Sequence, residues 1–283
     1  MSSACDSCPS KDGCTSQDSC PTANGVPAKE ALAKGSSIKT VIGVASGKGG
    51  VGKSFVTSTL AVSLARKGLK VGIMDADVTG PSIPQAFGIE ENLHATEDNL
   101  IYPAQTETGI KAVSVNLMLS DKEEPVIWRG PVLNSLVRQF WGQTDWGTLD
   151  VLLIDMPPGT GDVPLTVFQA IPIDGIILVA TSQDLVSMIV NKARNMASMM
   201  NVPVLGLVEN MSYIKCPDCG KEIRLYGDGS NLEKSAAEIG AKVLDKIPLD
   251  PEVTRLVDSG NVEKTEDGIL AGTTDMCLNM LKQ

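Results

Sequence analysis

One octapeptide reads Gly47-Lys48-Gly49-Gly50-Val51-Gly52-Lys53-Ser54. It fits the phosphate-binding pattern G-x-x-x-x-G-K-[ST], in which glycines let backbone N–H groups turn toward phosphate oxygens. In that pattern Lys53 places a positive charge at the β- and γ-phosphates, and the Ser54 hydroxyl can bind Mg²⁺. The octapeptide therefore predicts a loop that binds a nucleoside triphosphate.

The segments on either side of the octapeptide support this interpretation. The β-branched run at residues 40–45 predicts a strand before the loop, and apolar residues recur at helical spacing over residues 55–66 until Gly68 ends the pattern. A helix that begins at the loop aims the partial positive charge of its N-terminus at the phosphates. A glycine turn without a ligand is the alternative, but a bare turn needs no lysine and serine after its last glycine.

Composition limits the classes of protein to which the chain can belong. Its 283 residues, 42% of them hydrophobic, suit one large α/β domain. The net charge of −10 argues against unaided nucleic-acid binding, which needs a basic surface. No apolar run approaches the ~20 residues that span a bilayer, and the N-terminus lacks the layout of a signal peptide. We therefore expect a cytoplasmic protein without nucleic-acid or membrane partners, whose seven cysteines are thiols or metal ligands rather than disulfides.

The chain divides into two compositional zones. Residues 1–37 are rich in Ser, Asp, Gly, Pro and Cys, and this tail has too few large apolar residues for a core of its own. In residues 38–283, apolar runs alternate with amphipathic stretches, and the runs predict buried strands at residues 71–74, 151–154, 176–179 and 202–208. The alternation predicts the α/β class, with a mainly parallel sheet, helices on both faces and ligands at the carboxyl ends of strands.

Acidic segments follow two of the predicted strands. Residues 75–82 read Asp-Ala-Asp-Val-Thr-Gly-Pro-Ser, and residues 155–162 read Asp-Met-Pro-Pro-Gly-Thr-Gly-Asp. A carboxylate at a strand end can hold Mg²⁺ or orient the attacking water, and a Pro/Gly loop after it can change shape when the γ-phosphate leaves. An aspartate that ends a strand is also a common helix cap. Two of them behind a phosphate-binding loop favour a catalytic interpretation.

The early lysine of the octapeptide, Lys48, lies at a position that the phosphate-binding pattern leaves free. The sequence K-G-G-V-G-K-S resembles the deviant Walker motif of the P-loop ATPases related to MinD, ParA and the nitrogenase iron protein. In that group the early lysine reaches across a dimer to the partner's nucleotide. The resemblance implies a homodimer that encloses nucleotide between its subunits, with Lys48 and Lys53 both catalytic. A solvated surface lysine is the alternative.

Further motifs narrow the resemblance to one family. In chain order they are D-A-D-x-x-G-P-S-I-P at residues 75–84, W-R-G-P at 128–131, L-L-I-D-M-P-P-G-T-G-D at 152–162, V-E-N-M-S-Y at 208–213, C-P-D-C-G at 216–220 and I-P-L-D-P at 247–251. Together they resemble the Mrp/ApbC family of iron–sulfur cluster carrier ATPases. The resemblance implies that Asp77 positions or activates the hydrolytic water, that Asp155 belongs to the Walker B and switch II segment, and that Asn210 recognises the adenine of ATP.

Cys216 and Cys219 form a C-x-x-C knuckle, a spacing that lets two thiolates hold one metal centre. Two thiolates are half of a four-thiolate site, and no second C-x-x-C lies near enough in the core sequence to complete one. A homodimer would supply the missing pair, and the family resemblance implies a [4Fe–4S] cluster bridging Cys216 and Cys219 of both subunits. Bridging zinc, a redox dithiol and a pair without a cofactor are the alternatives.

Four more cysteines lie in the tail, at Cys5, Cys8, Cys14 and Cys20. Four thiols so close together in a segment without a core suggest a metal site. The eukaryotic cytosolic scaffold members of the family have a similar N-terminal cluster, whose last three cysteines are spaced as the first three are here. Their first cysteine lies well upstream, so we expect Cys20 to act as the fourth ligand of a second [4Fe–4S] cluster. A zinc-binding tail and an unliganded tail are the alternatives.

These observations predict an ATP-binding carrier or scaffold that assembles a labile [4Fe–4S] cluster and transfers it to apoproteins, with slow hydrolysis of Mg²⁺-bound ATP as the switch. A MinD/ParA-type positioning ATPase would share the loop and Lys48, but its output is assembly on a membrane or DNA. An electron donor like the nitrogenase iron protein would share the bridging cluster but use it for redox chemistry. The remaining cysteine, Cys277, stands alone and is expected in the core.

Overall fold

Strands that are buried along most of their length form the centre of the protein. The computed structural model describes residues 29–77, 80, 82–96, 99–118, 130–182, 186–225 and 230–282. The tail cysteines Cys5, Cys8, Cys14 and Cys20 lie outside the described residues, so the division into a tail and a domain stays a prediction. No helix among the described segments is long and apolar enough to cross a bilayer.

Strands alternate with helices over much of the described chain, although the strands within residues 94–113 and those within residues 204–223 follow one another directly. The strands are β1 (Ser37–Ser46), β2 (Val71–Asp75), β3 (His94–Ala95), β4 (Ile101–Tyr102), β5 (Ala104–Gln105), β6 (Lys111–Val113), β7 (Thr148–Asp155), β8 (Gly175–Ala180), β9 (Val204–Glu209), β10 (Ile214–Lys215), β11 (Glu222–Ile223) and β12 (Val243–Lys246). The α-helices are α1 (Lys53–Arg66), α2 (Ile83–Phe87), α3 (Gly130–Gly142), α4 (Asp162–Ala170), α5 (Val186–Met199), α6 (Ser230–Glu238), α7 (Pro251–Asp258) and α8 (Ala271–Met280).

Eight of these strands form one sheet in the order β12-β9-β8-β1-β7-β2-β6-β5. All neighbouring pairs are parallel except β5 and β6, which pair antiparallel at one edge. Two small antiparallel hairpins, β3-β4 and β10-β11, lie outside it. The predicted α/β class is therefore confirmed, and each predicted strand is present.

Both faces of the sheet are covered. Alternate residues of β7 point to opposite faces, so Leu152 and Ile154 belong to one apolar cluster and Val151 and Leu153 to the other. Helix α1 supplies Leu60 to the second cluster, and α3 and α4 supply aromatic side chains to the first. The two-sided covering explains why the central strands read as continuous apolar runs. Cys277 is fully buried in the second cluster, as expected, and burial raises the pKa of its thiol to about 12.

Strand register brings two aspartates to one row of the sheet. Asp155 ends β7 and lies opposite Val44 of β1 on one side and opposite Asp75, the last residue of β2, on the other. The strand β1 ends two residues beyond Val44, at Ser46, and the glycine loop begins at the next residue. The carboxyl ends of three adjacent strands therefore meet at the octapeptide.

The segment just before β1 is anchored to the domain. Lys29 donates hydrogen bonds to the carbonyl oxygens of Phe168 and Ile171 at the end of α4, the second at 3.1 Å. The carbonyl of Glu30 accepts a 2.8 Å bond from the Trp141 indole of α3, and the Glu30 carboxylate pairs with Arg138. Residues 29–30 are therefore held against α3 and the end of α4.

At the edge of the sheet formed by β12, one carboxylate binds the backbone at the start of α8. Asp245 of β12 accepts bonds from the Gly272 and Thr273 backbone N–H groups at 3.0 and 2.7 Å and from the Thr273 hydroxyl at 2.6 Å. These donors have no partner within the helix because they belong to its first turn. Asp245 thus caps α8 from a neighbouring strand.

We predict that Asp245→Asn lowers the free energy of unfolding by about 1–2 kcal/mol, because one acceptor oxygen is replaced by an amide donor that faces the helix N–H groups. Chemical denaturation followed by circular dichroism measures the change. Asp275→Asn is the matched control, since Asp275 is exposed on the same helix. Equal stability of the two variants would show that the cap contributes nothing.

Candidate functional site

The octapeptide forms a glycine loop between β1 and α1. Gly50 and Gly52 have φ of 76° and 77°, the left-handed region that favours glycine. A Cβ added at Gly52 would lie 2.1 Å from Nδ2 of Asn210, while one at Gly50 would meet nothing within 4 Å. Gly49 and Gly50 are exposed. The loop thus keeps an open backbone surface beside the N-terminus of a helix, the arrangement that binds phosphate.

Lys53 is a buried cation held by two carboxylates. Its Nζ lies 2.8 Å from Oδ2 of Asp155 and 3.4 Å from Oδ2 of Asp77. The Ser54 hydroxyl donates a 2.5 Å hydrogen bond to the same Oδ2 of Asp155. The structure therefore brings together four of the predicted site residues, which come from the loop, the end of β7 and the segment after β2.

A third carboxyl group, that of Asp75, lies behind this cluster. It is fully buried, and it accepts bonds from the Asp77 backbone N–H at 3.1 Å and the Ser114 hydroxyl at 3.0 Å. Burial raises the pKa of Asp75 well above its usual range, and the nearby charge of Asp155 raises it further. The raised pKa favours the neutral form of Asp75, which would reduce repulsion among the three carboxyl groups. Sequence reasoning assigned no separate role to Asp75 or Ser114.

The segment after Asp155 is bonded to the start of the loop. The backbone N–H groups of Met156 and Gly159 donate to the carbonyls of Val44 and Ser46 at 3.0 and 2.8 Å. The Ser46 hydroxyl in turn donates to the Lys48 carbonyl at 3.0 Å. Lys48 itself is half-buried. A change in the loop can therefore be passed directly to Met156 and Gly159, which lie in the predicted switch segment at residues 155–162.

Asn210 contacts the loop from the end of β9. Its side chain is buried, its Nδ2 donates a 2.9 Å bond to the Val51 carbonyl, and its backbone N–H donates to the Ala180 carbonyl at 2.8 Å. Asn210 therefore lies beside the glycine loop, although the chain separates the two by more than 150 residues. Its expected recognition of adenine stays a prediction.

The two cysteines of the C-x-x-C lie on the turn of the β10-β11 hairpin. The Cys216 N–H donates to the Lys221 carbonyl and the Gly220 N–H to the Cys216 carbonyl, both at 2.9 Å. Cys216 is half-buried and Cys219 is exposed. Hydrogen bonds from the backbone N–H groups of Cys219 and Asp218, and from the Cys219 thiol, lower the pKa of Cys216. The thiolate, which binds metals, is thereby favoured.

The donor atoms divide into two chemically distinct sets. A serine hydroxyl and a carboxylate, from Ser54 and Asp155, are hard oxygen donors and fit Mg²⁺ beside a phosphate loop. The thiols of Cys216 and Cys219 are soft donors and fit iron or zinc. Across the described residues no group of three or more His, Cys, Asp or Glu side chains could hold a metal ion. Within the described residues, the knuckle therefore offers two thiols.

Sequence reasoning missed one further contact of Asp155. The buried hydroxyl of Thr57, one helical turn after Lys53, lies 2.7 Å from Oδ1 of Asp155. One sequence feature could have indicated this contact. Three hydroxyl residues follow one another at positions 57–59 of an otherwise apolar helix, and a buried hydroxyl usually has a hydrogen-bond partner.

Comparison with known proteins agrees with this geometry. Residues 37–280 match the model of a ParA-type family described as NUBPL iron-transfer P-loop NTPase. The chain is 46% identical over 269 residues to the iron-sulfur cluster carrier protein of Clostridium perfringens, which covers 92% of this chain and 94% of that protein.

Solved structures agree as well. An Archaeoglobus fulgidus nucleotide-binding protein in complex with ADP superposes with a TM-score of 0.73 at 42% identity, covering 82% of this chain and 90% of that one. The Mg-ADP complex of the septum site-determining protein MinD from Pyrococcus horikoshii gives a TM-score of 0.58 at 20% identity over 86% of this chain and 96% of its own, and so shares the fold. The family model matches residues 37–280, and the carrier protein of Clostridium perfringens is 46% identical over nearly the whole chain. This chain therefore belongs to the iron-transfer P-loop NTPase family.

Proposed function

We propose that this protein is an iron–sulfur cluster carrier, which holds a labile [4Fe–4S] cluster as cargo between two copies of the chain and passes it to apoproteins in the cytoplasm. The observation that carries the proposal is the pair of accessible thiols, Cys216 and Cys219, on a hairpin that continues directly from the glycine loop's contact residue Asn210. The carrier name of relatives that align with nearly the whole chain supports the same conclusion.

ATP is the proposed nucleotide, bound by residues 47–54. In this interpretation Lys53 exchanges its carboxylate partners for phosphate oxygens, and Ser54 with Asp155 holds Mg²⁺, which neutralises phosphate charge. Asp77 lies 3.4 Å from the Lys53 ammonium, a position that fits a group orienting the attacking water. Lys48 is proposed to complete the site of the partner copy, and Asn210 to contact the adenine.

The two sites are joined by a short piece of chain. Asn210 and Cys216 are six residues apart, so they are separated by at most about 20 Å even if that segment is fully extended. The Ser212 N–H donates to the Ile247 carbonyl at 2.9 Å, and the Tyr213 carbonyl accepts from the Leu249 N–H at 2.8 Å. Because the segment is short and its backbone is hydrogen-bonded rather than slack, it is proposed to transmit movement of Asn210 against the loop to the knuckle.

A cluster with four thiolate ligands needs two knuckles, since each subunit supplies Cys216 and Cys219. The homodimer is therefore part of the proposal. The nucleotide site would take Lys48 from the partner copy, and the cluster would take two of its four thiolates from it. Cys5, Cys8, Cys14 and Cys20 are proposed to hold a second [4Fe–4S] cluster in the tail. Apo iron–sulfur proteins are the proposed clients.

We predict that Cys216→Ala abolishes the bridging cluster, because it removes two of the four thiolates of the dimer. After anaerobic reconstitution, iron and sulfide should fall by about four atoms each per dimer relative to the unchanged chain, and transfer to an apo-enzyme should stop. Asp218→Asn is the control, since it alters the same turn and keeps both thiols. Cluster content and transfer as in the unchanged chain would refute the carrier assignment.

A second prediction concerns the glycine loop. Gly52→Ala should weaken ADP binding about tenfold or more, because the new Cβ forces a strained φ and collides with Asn210. Calorimetric titration with Mg²⁺ and ADP measures the affinity. Gly68→Ala introduces a residue at a similar φ of 83° in open space just after α1, so it should cost stability without changing affinity. Equal affinity of both variants would contradict the proposed nucleotide site.

A further inference from the structure

We infer that Thr57 is a positioning residue that holds the Asp155 carboxylate in the orientation needed for the Mg²⁺–nucleotide site. This inference rests on the proposed function, since it concerns the same site. Thr57 lies on α1 and is fully buried, and its Oγ1 is 2.7 Å from Oδ1 of Asp155. It contacts Oδ1 of Asp155, whereas Ser54 and Lys53 contact Oδ2.

The two oxygens of Asp155 have separate partners. Oδ2 accepts a 2.5 Å hydrogen bond from the Ser54 hydroxyl and lies 2.8 Å from the Lys53 ammonium group. Oδ1 accepts a 2.7 Å hydrogen bond from the Thr57 hydroxyl. A carboxylate can rotate about its last side-chain bond, and this torsion has a broad energy profile. With Oδ1 tied to the helix, rotation is restricted and Oδ2 stays directed at the serine hydroxyl. Thr57 therefore determines which oxygen faces the predicted Mg²⁺ position.

The Thr57 hydroxyl has one proton and two acceptors in reach. The Lys53 carbonyl lies at 3.1 Å and the Asp155 oxygen at 2.7 Å. A hydrogen bond to a charged acceptor is shorter and about twice as strong as one to a neutral acceptor, so the proton is directed at Asp155. The bond is formed in a fully buried place, where water cannot replace it.

Two neighbours on the same helix provide a contrast. The hydroxyls of Ser58 and Thr59 are also buried, yet neither has a hydrogen-bond partner within the described residues. A buried hydroxyl on α1 is therefore not in itself a sign of function. What distinguishes Thr57 is its contact with a carboxylate of the site, which Ser58 does not make.

The test compares three variants of the full chain. Thr57→Val keeps the shape and removes the hydroxyl, Thr57→Ser restores it, and Ser58→Ala removes a buried hydroxyl that touches no carboxylate. Binding of Mn²⁺ in the presence of ADP is followed by electron paramagnetic resonance, with Mn²⁺ as the probe for the Mg²⁺ position. Thermal unfolding of each variant measures stability separately.

We expect Thr57→Val to weaken Mn²⁺ binding about tenfold, the usual loss when a group that orients a metal ligand is removed, and Thr57→Ser to stay within about twofold of the unchanged chain. Ser58→Ala should leave the affinity unchanged. The inference is overturned if Thr57→Val binds Mn²⁺ as the unchanged chain does, if Thr57→Ser fails to restore binding, or if Ser58→Ala causes the same loss.

Lys53→Ala and Asp155→Asn separate failure of the inference from failure of the proposed function. If neither change affects binding of Mn²⁺ with ADP, the proposed nucleotide site is wrong and the inference falls with it. If both changes weaken binding while Thr57→Val does not, only the role of Thr57 is wrong.

Discussion

The buried ion cluster around Lys53 is the constraint on which the rest of the site depends. Removing an ammonium group from water is costly, and here the cost is offset by Asp155 at 2.8 Å and Asp77 at 3.4 Å. The three residues come from α1, β7 and the segment after β2, so those elements must stay together to keep the charge paired. Loss of one partner from such a pair typically costs about 3–5 kcal/mol. Apolar residues at these positions would stabilise the fold as well as the buried ion pairs do. The presence of a buried lysine between carboxylates is therefore better explained by a ligand that exchanges with the carboxylates than by a contribution to stability.

The direction of the strands brings the parts of the proposed nucleotide site, and the start of the segment that leads to the cysteines, to one edge of the sheet. Parallel strands deliver their carboxyl ends to one edge, and Asp155, Asn210 and the glycine loop all lie there because β7, β9 and β1 run in the same direction. Asn210 bonds to the Val51 carbonyl, and the chain then continues for four residues to Ile214, where the cysteine hairpin begins. Residues 210–213 between the two sites are buried or half-buried, and Ser212 is bonded to Ile247, so the proposed coupling runs through a packed segment that resists continuous deformation.

Local patterns allowed much of this arrangement to be predicted. The glycine loop, its helix and the strand-terminal Asp155 follow from residue types at fixed spacing, and the apolar runs predicted each central strand. Ser114 and Thr57 could not be placed, because their roles depend on which strand lies beside β2 and on which side of α1 faces β7. The short strand β6 has only three residues and no apolar run that periodicity could detect. Lys29 and Glu30 bond to α3 and to the end of α4, and composition does not register contacts as few and specific as these.

The contrast between Cys277 and the knuckle cysteines shows how burial separates a structural thiol from one suited to exchange. Cys277 has the same side chain, but burial raises its pKa to about 12, so it stays a neutral, unreactive part of the core. Cys216 is half-buried beside backbone N–H groups that lower its pKa, and Cys219 is exposed. A cargo that must be released needs ligands that an acceptor's thiols can reach and replace, whereas a permanent cofactor is better kept under the surface. The position of the knuckle on a small hairpin outside the main sheet therefore suits transfer.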